Sequence, residues 1–215
     1  MNSLAEENYL KALLSLSDES GEVNVTNLSR RLRITIPTVT SMMRKLARKH
    51  FVEYKSYRPL RLTEKGKKEA RLIIRKHQLV EMFLVEKMGL GWEEVHEIAE
   101  QLEHVHAATF FERMDALLKF PTIDPHGEPI PDKRGIVRQE SLTRLSSHKA
   151  GDIVTLRAIE DGTDDFLKFL NKHEIYLGLK IKIQAIKKYD GSMLVRLGKR
   201  PPETLKHTIC ERLLV

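Results

Sequence analysis

The stretch VNVTNLSRRLRITIPTVTSMMRKLARKHF, residues 23–51, decides the fold of the first third of the chain. Thr26 can cap a short helix that ends near Arg31 or Leu32. A turn covers Arg33–Thr35, and Pro37 suits the first turn of a second helix because its missing N–H would be unsatisfied there anyway. Two short helices joined in this way make a helix-turn-helix. The residues that follow, FVEYKSYRPLRLT (51–63), place the apolar pairs Val52/Tyr54 and Leu60/Leu62 on either side of a tip at Ser56–Pro59. That is a short hairpin, and it makes the helix-turn-helix a winged one. Upstream, LAEENYLKALLSL (4–16) reads as an amphipathic helix with Leu4, Tyr9, Ala12, Leu13 and Leu16 near one face, ended by DESGE (18–22).

The charge distribution agrees with this reading. The 215 residues carry a net charge of +7, but residues 1–76 hold 17 Lys or Arg against 8 Asp or Glu, while the rest is slightly acidic. A basic front third on a near-neutral body is the asymmetry of a nucleic-acid-binding module, since an ordinary solvated surface would spread the excess evenly. A hydrophobic fraction of 41% fits a folded chain. The single cysteine forms no intramolecular disulfide, no basic-then-apolar leader opens the chain, and no apolar run approaches the roughly 20 residues of a membrane span. A cytoplasmic protein that does not engage a membrane is expected.

A long helix is predicted from about Glu64 to Met88, broken by GLGW, and another from about Glu93 to Lys119. FPTIDPHGEPIPDKRG (120–135), with four prolines and two glycines, is a loop. Beyond Ser141 the runs DIVTLRAI, LKIKIQAIKKY and SMLVRL alternate and are β-branched, with a turn at Asp190–Gly191, so a small, mostly β module, a compact barrel, is expected. The fold class is therefore α+β and multidomain: a winged helix-turn-helix over 1–63, a helical domain over 64–140 and a β module over 141–215.

The helical part holds an unusual segment, HEIAEQLEHVH (96–106). On a helical wheel His96, Glu100, Glu103 and His104 fall within an arc of about 100°, beside a separate apolar arc of Val95, Ile98, Ala99, Leu102 and Val105. His106 points elsewhere. On the preceding helix His77 and Glu81, spaced i and i+4, lie amid Ala70, Ile73, Ile74, Leu84 and Met88. A buried His and Glu need partners, and a hydrogen-bonded pair in the core is one way to supply them. A divalent ion is the other. Imidazole and carboxylate without thiolate suit Mn, Fe, Co, Ni or Zn.

The order of a winged helix-turn-helix, RKHQLVE (75–81), EVHEIAEQLEHV (94–105), DPHGEPIP (124–131) and a β-rich tail resembles the diphtheria toxin repressor family of metal-dependent bacterial regulators, over nearly the whole chain. The resemblance implies a homodimer that binds double-stranded operator DNA when Mn(II) or Fe(II) fills sites in the dimerisation domain, and an SH3-like, FeoA-type C-terminal module. It implies one metal site of Glu100, Glu103 and His104 closed by Asn8, and another of His77, Glu81 and His96, with Asp165 from the third domain. The iron-responsive members have cysteine where Glu100 stands and methionine where Asn8 stands. The manganese-responsive ones have aspartate at Asn8 and glutamate at Lys11. The Irving–Williams order lets Zn(II), Co(II) or Ni(II) bind in vitro as well.

By family position Thr35, Pro37, Thr38, Thr40 and Ser41 face the major groove, where hydroxyls and methyls suit thymine and phosphate. Arg44, Lys45, Arg48 and Lys49 are candidates for phosphate contacts, and Arg58 at the wing tip for a minor groove. Leu72, Leu79 and Phe83, with Phe110, Phe111 and Met114, form apolar sets beside the His/Glu stripe that could serve a two-fold interface. Two other classes stay open on sequence grounds: a winged-helix regulator gated by a non-metal ligand, and a binuclear metal hydrolase. The latter lacks a candidate nucleophile or a phosphate-cradling glycine loop. The C-terminal module could make contacts within the chain or with a partner.

Overall fold

The computed structural model describes residues 2–17, 20–138, 141–160 and 162–215. The break expected at residues 18–22 and the domain boundary expected at 140/141 fall partly outside the described residues. The chain divides into two compact units. The first comprises residues 1–80, 99–122 and 130–137; the second comprises 81–98, 123–129 and 138–215.

In the first unit, helix α1 spans Leu4–Leu16 and begins with a capping box. The Glu6 amide donates to Ser3 Oγ and the Ser3 amide donates back to Glu6 Oε2, which satisfies two of the donors a helix start leaves open. Strand β1 (Glu22–Val23) leads into α2 (Val25–Leu32), whose cap is Asn24, not the expected Thr26. Asn24 Oδ1 accepts from the Thr26 amide at 2.8 Å, because a side chain one residue outside the helix reaches an open N–H that a residue inside it cannot. Arg33 turns the chain in the left-handed region at φ 54°, and α3 (Ile36–Arg48) starts with Pro37 in its first turn.

The hairpin forms as β2 (Val52–Glu53) and β3 (Leu60–Leu62), and β1 adds a third strand that sequence patterning did not show, giving the order β1-β3-β2. Leu10, Leu13, Leu28, Val39, Met43, Leu46, Leu60 and Ile73 meet in one core. Helix α4 runs Glu64–Met88, as expected. At Gly66 an added Cβ would lie 2.0 Å from the Phe51 carbonyl oxygen, so the base of the wing sits directly on the first turn of α4. The second long helix is instead two: α5 (His96–Leu102) and α6 (Ala108–Leu117).

In the second unit, β4 (Ile153–Thr155), β6 (Lys180–Ile186), β7 (Met193–Leu197) and β8 (Glu203–Leu205) form an antiparallel sheet in the order β4-β6-β7-β8. β5 (Ala158–Ile159) pairs with β9 (Leu213–Leu214). The ladder between the two sheets is not closed into a barrel, and both share a core with Leu156, Ile159, Ile181, Val195 and Leu213. Helix α7 (Asp164–Lys172) adds Phe166, Leu167 and Leu170 to that core, and Cys210 is buried in it, within the short helix α8 (His207–Cys210). No helix among the described residues is long and apolar enough to cross a membrane.

Helix α1 is tied to the end of α3 by charge. Glu6 is buried, yet its Oε1 lies 2.8 Å from Lys49 Nζ and 3.3 Å from Lys45 Nζ. Burial works against the carboxylate, but the Lys49 ammonium, the Ser3 amide and Lys45 together outweigh it and lower its pKa from 4.5 to about 2. A lowered carboxyl pKa stabilises the fold fully above about 4.5, and the contribution is lost as pH falls through about 2. Glu6→Gln is therefore expected to cost roughly 1–2 kcal/mol near neutral pH, the exposed lysines being partly screened by solvent. In thermal melts across the acid range, the gap between wild type and variant should shrink to nothing towards the lower pH; a gap independent of pH would refute this account.

Candidate metal centre and nucleic-acid interface

The first unit gathers a polar group where α1, α4 and the segment after α5 meet. Glu103 is fully buried. Its Oε2 lies 2.7 Å from His77 Nδ1, and both of its oxygens accept from Lys11 Nζ, at 2.8 and 2.7 Å. The same ammonium donates to Glu100 Oε1 at 2.8 Å. His104 Nδ1 lies 2.6 Å from Glu7 Oε2 and its Nε2 3.4 Å from Glu103 Oε1. Lys76 Nζ donates to the Glu103 carbonyl at 3.2 Å. Ligand atoms of His77, Glu100 and Glu103 lie within 4.8 Å of one another.

The sequence placed Glu103 and His104 on a helical stripe, but α5 ends at Leu102, and a tight turn closed by the Val105 amide on the Leu102 carbonyl (3.1 Å) takes over. The Glu103 amide still donates to the Ala99 carbonyl at 2.9 Å, so Glu103 closes the helix, and from that end it meets Lys11 and His77 while His104 meets Glu7 on α1. Glu7 was missed by the sequence reading, and its adjacency to Asn8 was the signal that could have found it. Asn8 itself has a buried Oδ1 with no hydrogen-bond partner.

The second unit holds a different group: Glu81, Asp124 and His126, with ligand atoms within 4.8 Å of one another. The DPHGEPIP loop builds it. Asp124 Oδ1 accepts from the amides of His126 and Glu128, both at 2.9 Å, which folds the loop into an Asx-type turn. Gly127, at φ 90°, lets the backbone approach β5; a Cβ there would fall 2.2 Å from the Arg157 carbonyl oxygen. The Ile159 amide of β5 donates to the His126 carbonyl at 2.9 Å, and the Trp92 ring stacks on the His126 ring. His126 Nε2 donates to the Trp92 carbonyl at 3.0 Å, which orients the ring. The remaining nitrogen, Nδ1, faces Glu81 Oε2 at 3.7 Å. His96 Nδ1 lies 3.4 Å from the other Glu81 oxygen. The sequence reading did not single out Asp124 and His126; a histidine and an aspartate two residues apart in a rigid proline-bounded loop were the available signal.

Asp165 is exposed on the first turn of α7 and joins none of the three-residue groups among the described residues. Its chain neighbours Phe166 and Leu167 take the core-facing positions, which turns the aspartate outward. Burial pushes the Cys210 thiol up to about 11, which disfavours the reactive thiolate.

On the basic side of the first unit, Thr35, Pro37, Thr38, Ser41, Arg44, Lys45, Arg48 and Arg58 are exposed and Thr40 is half-buried, while Val39, Met43 and Leu46 turn the opposite face of α3 inward. Thr35 and Thr38 share a hydrogen bond between their hydroxyls at 2.9 Å. Ile36, Thr40 and Arg44 of α3, with Tyr57 and Arg58 of the wing tip, line an open cleft of about 580 Å³. Lys45 and Lys49 differ from the arginines because both also pair with Glu6.

The apolar residues assigned to an interface divide. Leu79, Phe111 and Met114 are buried within the chain and serve internal packing, since they sit on the inward side of α4 and α6. Leu72 and Phe83 are half-buried, and Phe110 is exposed, as are Leu117 and Phe120.

Comparison with known proteins agrees with these elements. The family model for the iron-dependent repressor N-terminal DNA-binding domain matches residues 3–60, that for the metal-binding and dimerisation domain of the same repressors matches 63–132, and that for the FeoA domain matches 143–215. The iron-dependent repressor IdeR of Mycobacterium tuberculosis is 32% identical over 186 residues, covering 75% of this chain and 81% of its own. A solved manganese-dependent transcriptional repressor in complex with manganese superposes with a TM-score of 0.83 at 29% identity, over 97% of this chain and 98% of that one. The crystal structure of T. acidophilum IdeR gives 0.72 at 28% identity, over 100% and 98%. The chain therefore belongs to the iron-dependent repressor family, whose members are metal-dependent, DNA-binding transcription regulators and not enzymes.

Proposed function

We propose that this chain binds operator DNA as a homodimeric repressor when Mn(II) or Fe(II) is held by Glu81, Asp124 and His126, with His96 at the edge of the group. The observation that carries the reading is the His126 ring. Its Nε2 donates to the Trp92 carbonyl, which leaves Nδ1 as the nitrogen that faces a carboxylate oxygen at 3.7 Å. An imidazole nitrogen and carboxylate oxygens held face to face, with ligand atoms of Glu81, Asp124 and His126 within 4.8 Å of one another, are donor atoms that one divalent cation can bridge. Two carboxylates and an imidazole without sulfur are a hard donor set, which suits Mn(II) or Fe(II), while Zn(II), Co(II) and Ni(II) bind such sets in vitro as well. The β5 amide that holds His126 comes from the C-terminal module, so that module supports the reading through a contact within the chain.

The exposed row Thr35, Pro37, Thr38 and Ser41 would enter the major groove, with Arg44 and Arg48 on phosphates and Arg58 on the wing. Exposed Phe110, Leu117 and Phe120, rather than the buried members of the apolar set, would supply the two-fold contact.

Two outcomes follow. In mobility shifts with an operator selected from random DNA by the metal-loaded protein, chelator should abolish binding and Mn(II) or Fe(II) restore it. His126→Ala should raise the Mn(II) requirement by about 10–100-fold. Equal operator affinity with and without metal would rule the reading out. Separately, Arg44→Ala and Arg58→Ala should each reduce the slope of log affinity against log salt by about one, weakening all sequences alike if the contacts are to phosphate. An unchanged slope would remove that arginine from the interface.

A further inference from the structure

We infer that Lys11 is a built-in cation that fills the Glu100/Glu103 position and closes it to metal, so that this chain binds one divalent ion fewer than its carboxylates and imidazoles would otherwise hold. The inference deepens the proposed metal dependence and rests on it only for the ion at the other group. Three observations carry it.

The first is saturation. The Lys11 ammonium has three N–H donors, and it makes three contacts, one to Glu100 and two to Glu103, all at 2.7–2.8 Å. Glu103 has no oxygen left over, since Oε1 also faces His104 Nε2 and Oε2 faces His77 Nδ1. The group is hydrogen-bonded throughout.

The second is distance. A divalent ion bound to a Glu103 oxygen would sit about 2.0–2.2 Å from it. The ammonium is already 2.7–2.8 Å from the same oxygens, so the two positive centres would be no more than about 5 Å apart in a buried setting. Their repulsion, little screened there, works against an ion entering beside the lysine.

The third is burial. The Lys11 side chain is 18% exposed and Glu103 is 0% exposed, so the pair is an internal one with little solvent screening. Expelling Lys11 would return an ammonium to water but strip the internal cation from two carboxylates, and only an ion bound strongly enough to offset that exchange could do it. Glu100, Glu103, His77 and His104 thus do not fit a metal as they stand, although their residue types would suit one. Lys11 carries out permanently the cross-link between α1 and the Glu103 turn that an ion at this position would supply only when bound.

The test counts ions on the full-length protein, by calorimetric titration with Mn(II) and by metal analysis after gel filtration, on wild type, Lys11→Met, Lys11→Arg and Glu100→Gln. Lys11→Met keeps most of the stem and removes the charge. It should melt several degrees lower in chelator, bind one Mn(II) more per chain than wild type, and regain its melting temperature with that ion. Lys11→Arg should keep the wild-type stoichiometry. Glu100→Gln should leave the Mn(II) count unchanged, because no ion uses it. A wild-type count that drops by one in Glu100→Gln, or a folded Lys11→Met that gains no ion, overturns the inference. If Lys11→Met does not fold, the Glu100→Gln count alone decides. If wild type takes up no Mn(II) at all, the metal-dependent reading fails, while an ion gained by Lys11→Met would still uphold the role of the lysine.

Discussion

The carboxylate of Glu103 is the constraint on which the first unit is built. A carboxylate with no exposure to water is tolerated only where charge and hydrogen bonds replace its hydration, and Lys11 and His77 supply both. Removing one partner of such a buried pair costs about 3–5 kcal/mol, because the other charge is left uncompensated. That magnitude is a large share of the 5–15 kcal/mol that holds an ordinary domain together. The last helical amide of α5 is that of Glu103 itself, on the Ala99 carbonyl, so the helix stops with this side chain in place.

Helix α1 consequently serves two masters. Glu6 points towards the basic end of α3, to Lys45 and Lys49, while Glu7 and Lys11 lie one turn apart on a different face and reach His104, Glu100 and Glu103. The faces are separated by more than 90° of helix, so a rotation or shift of α1 cannot improve one set of ion pairs without straining the other. The recognition helix and the carboxylate group are thus coupled through one rigid element, and the coupling has a named contact at each end.

Much of this was legible in the sequence, for identifiable reasons. The winged helix-turn-helix could be read because Pro37 and the alternating hairpin are local signals. The 25-residue span of α4 was readable because its pattern is long and uninterrupted. The break after Leu102 was not, since residues 93–119 hold no Gly or Pro to mark it. Helix α7 was hidden for a related reason: DDFLKFLNK is short, and the β-branched runs on either side set the texture of the whole tail. The interface residues were half legible, because periodicity tells which residues share a face but not whether that face meets this chain or another. Asp124 and His126 escaped because their loop reads as a proline-rich connector, while what organises it is the Asx turn and the approach of Gly127 to β5.

The two polar groups differ in a way that bears on how a regulator of this kind can respond. A ligand shifts an equilibrium only by the difference in its affinity for the two states, and a position that holds its cation covalently attached offers no such difference. Glu103 with Lys11 is therefore a fixed structural joint, whatever the metal concentration. The loop group is built differently: His126 is oriented by Trp92 and β5, and its second nitrogen faces Glu81 at 3.7 Å, where the proposed reading puts an ion that comes and goes.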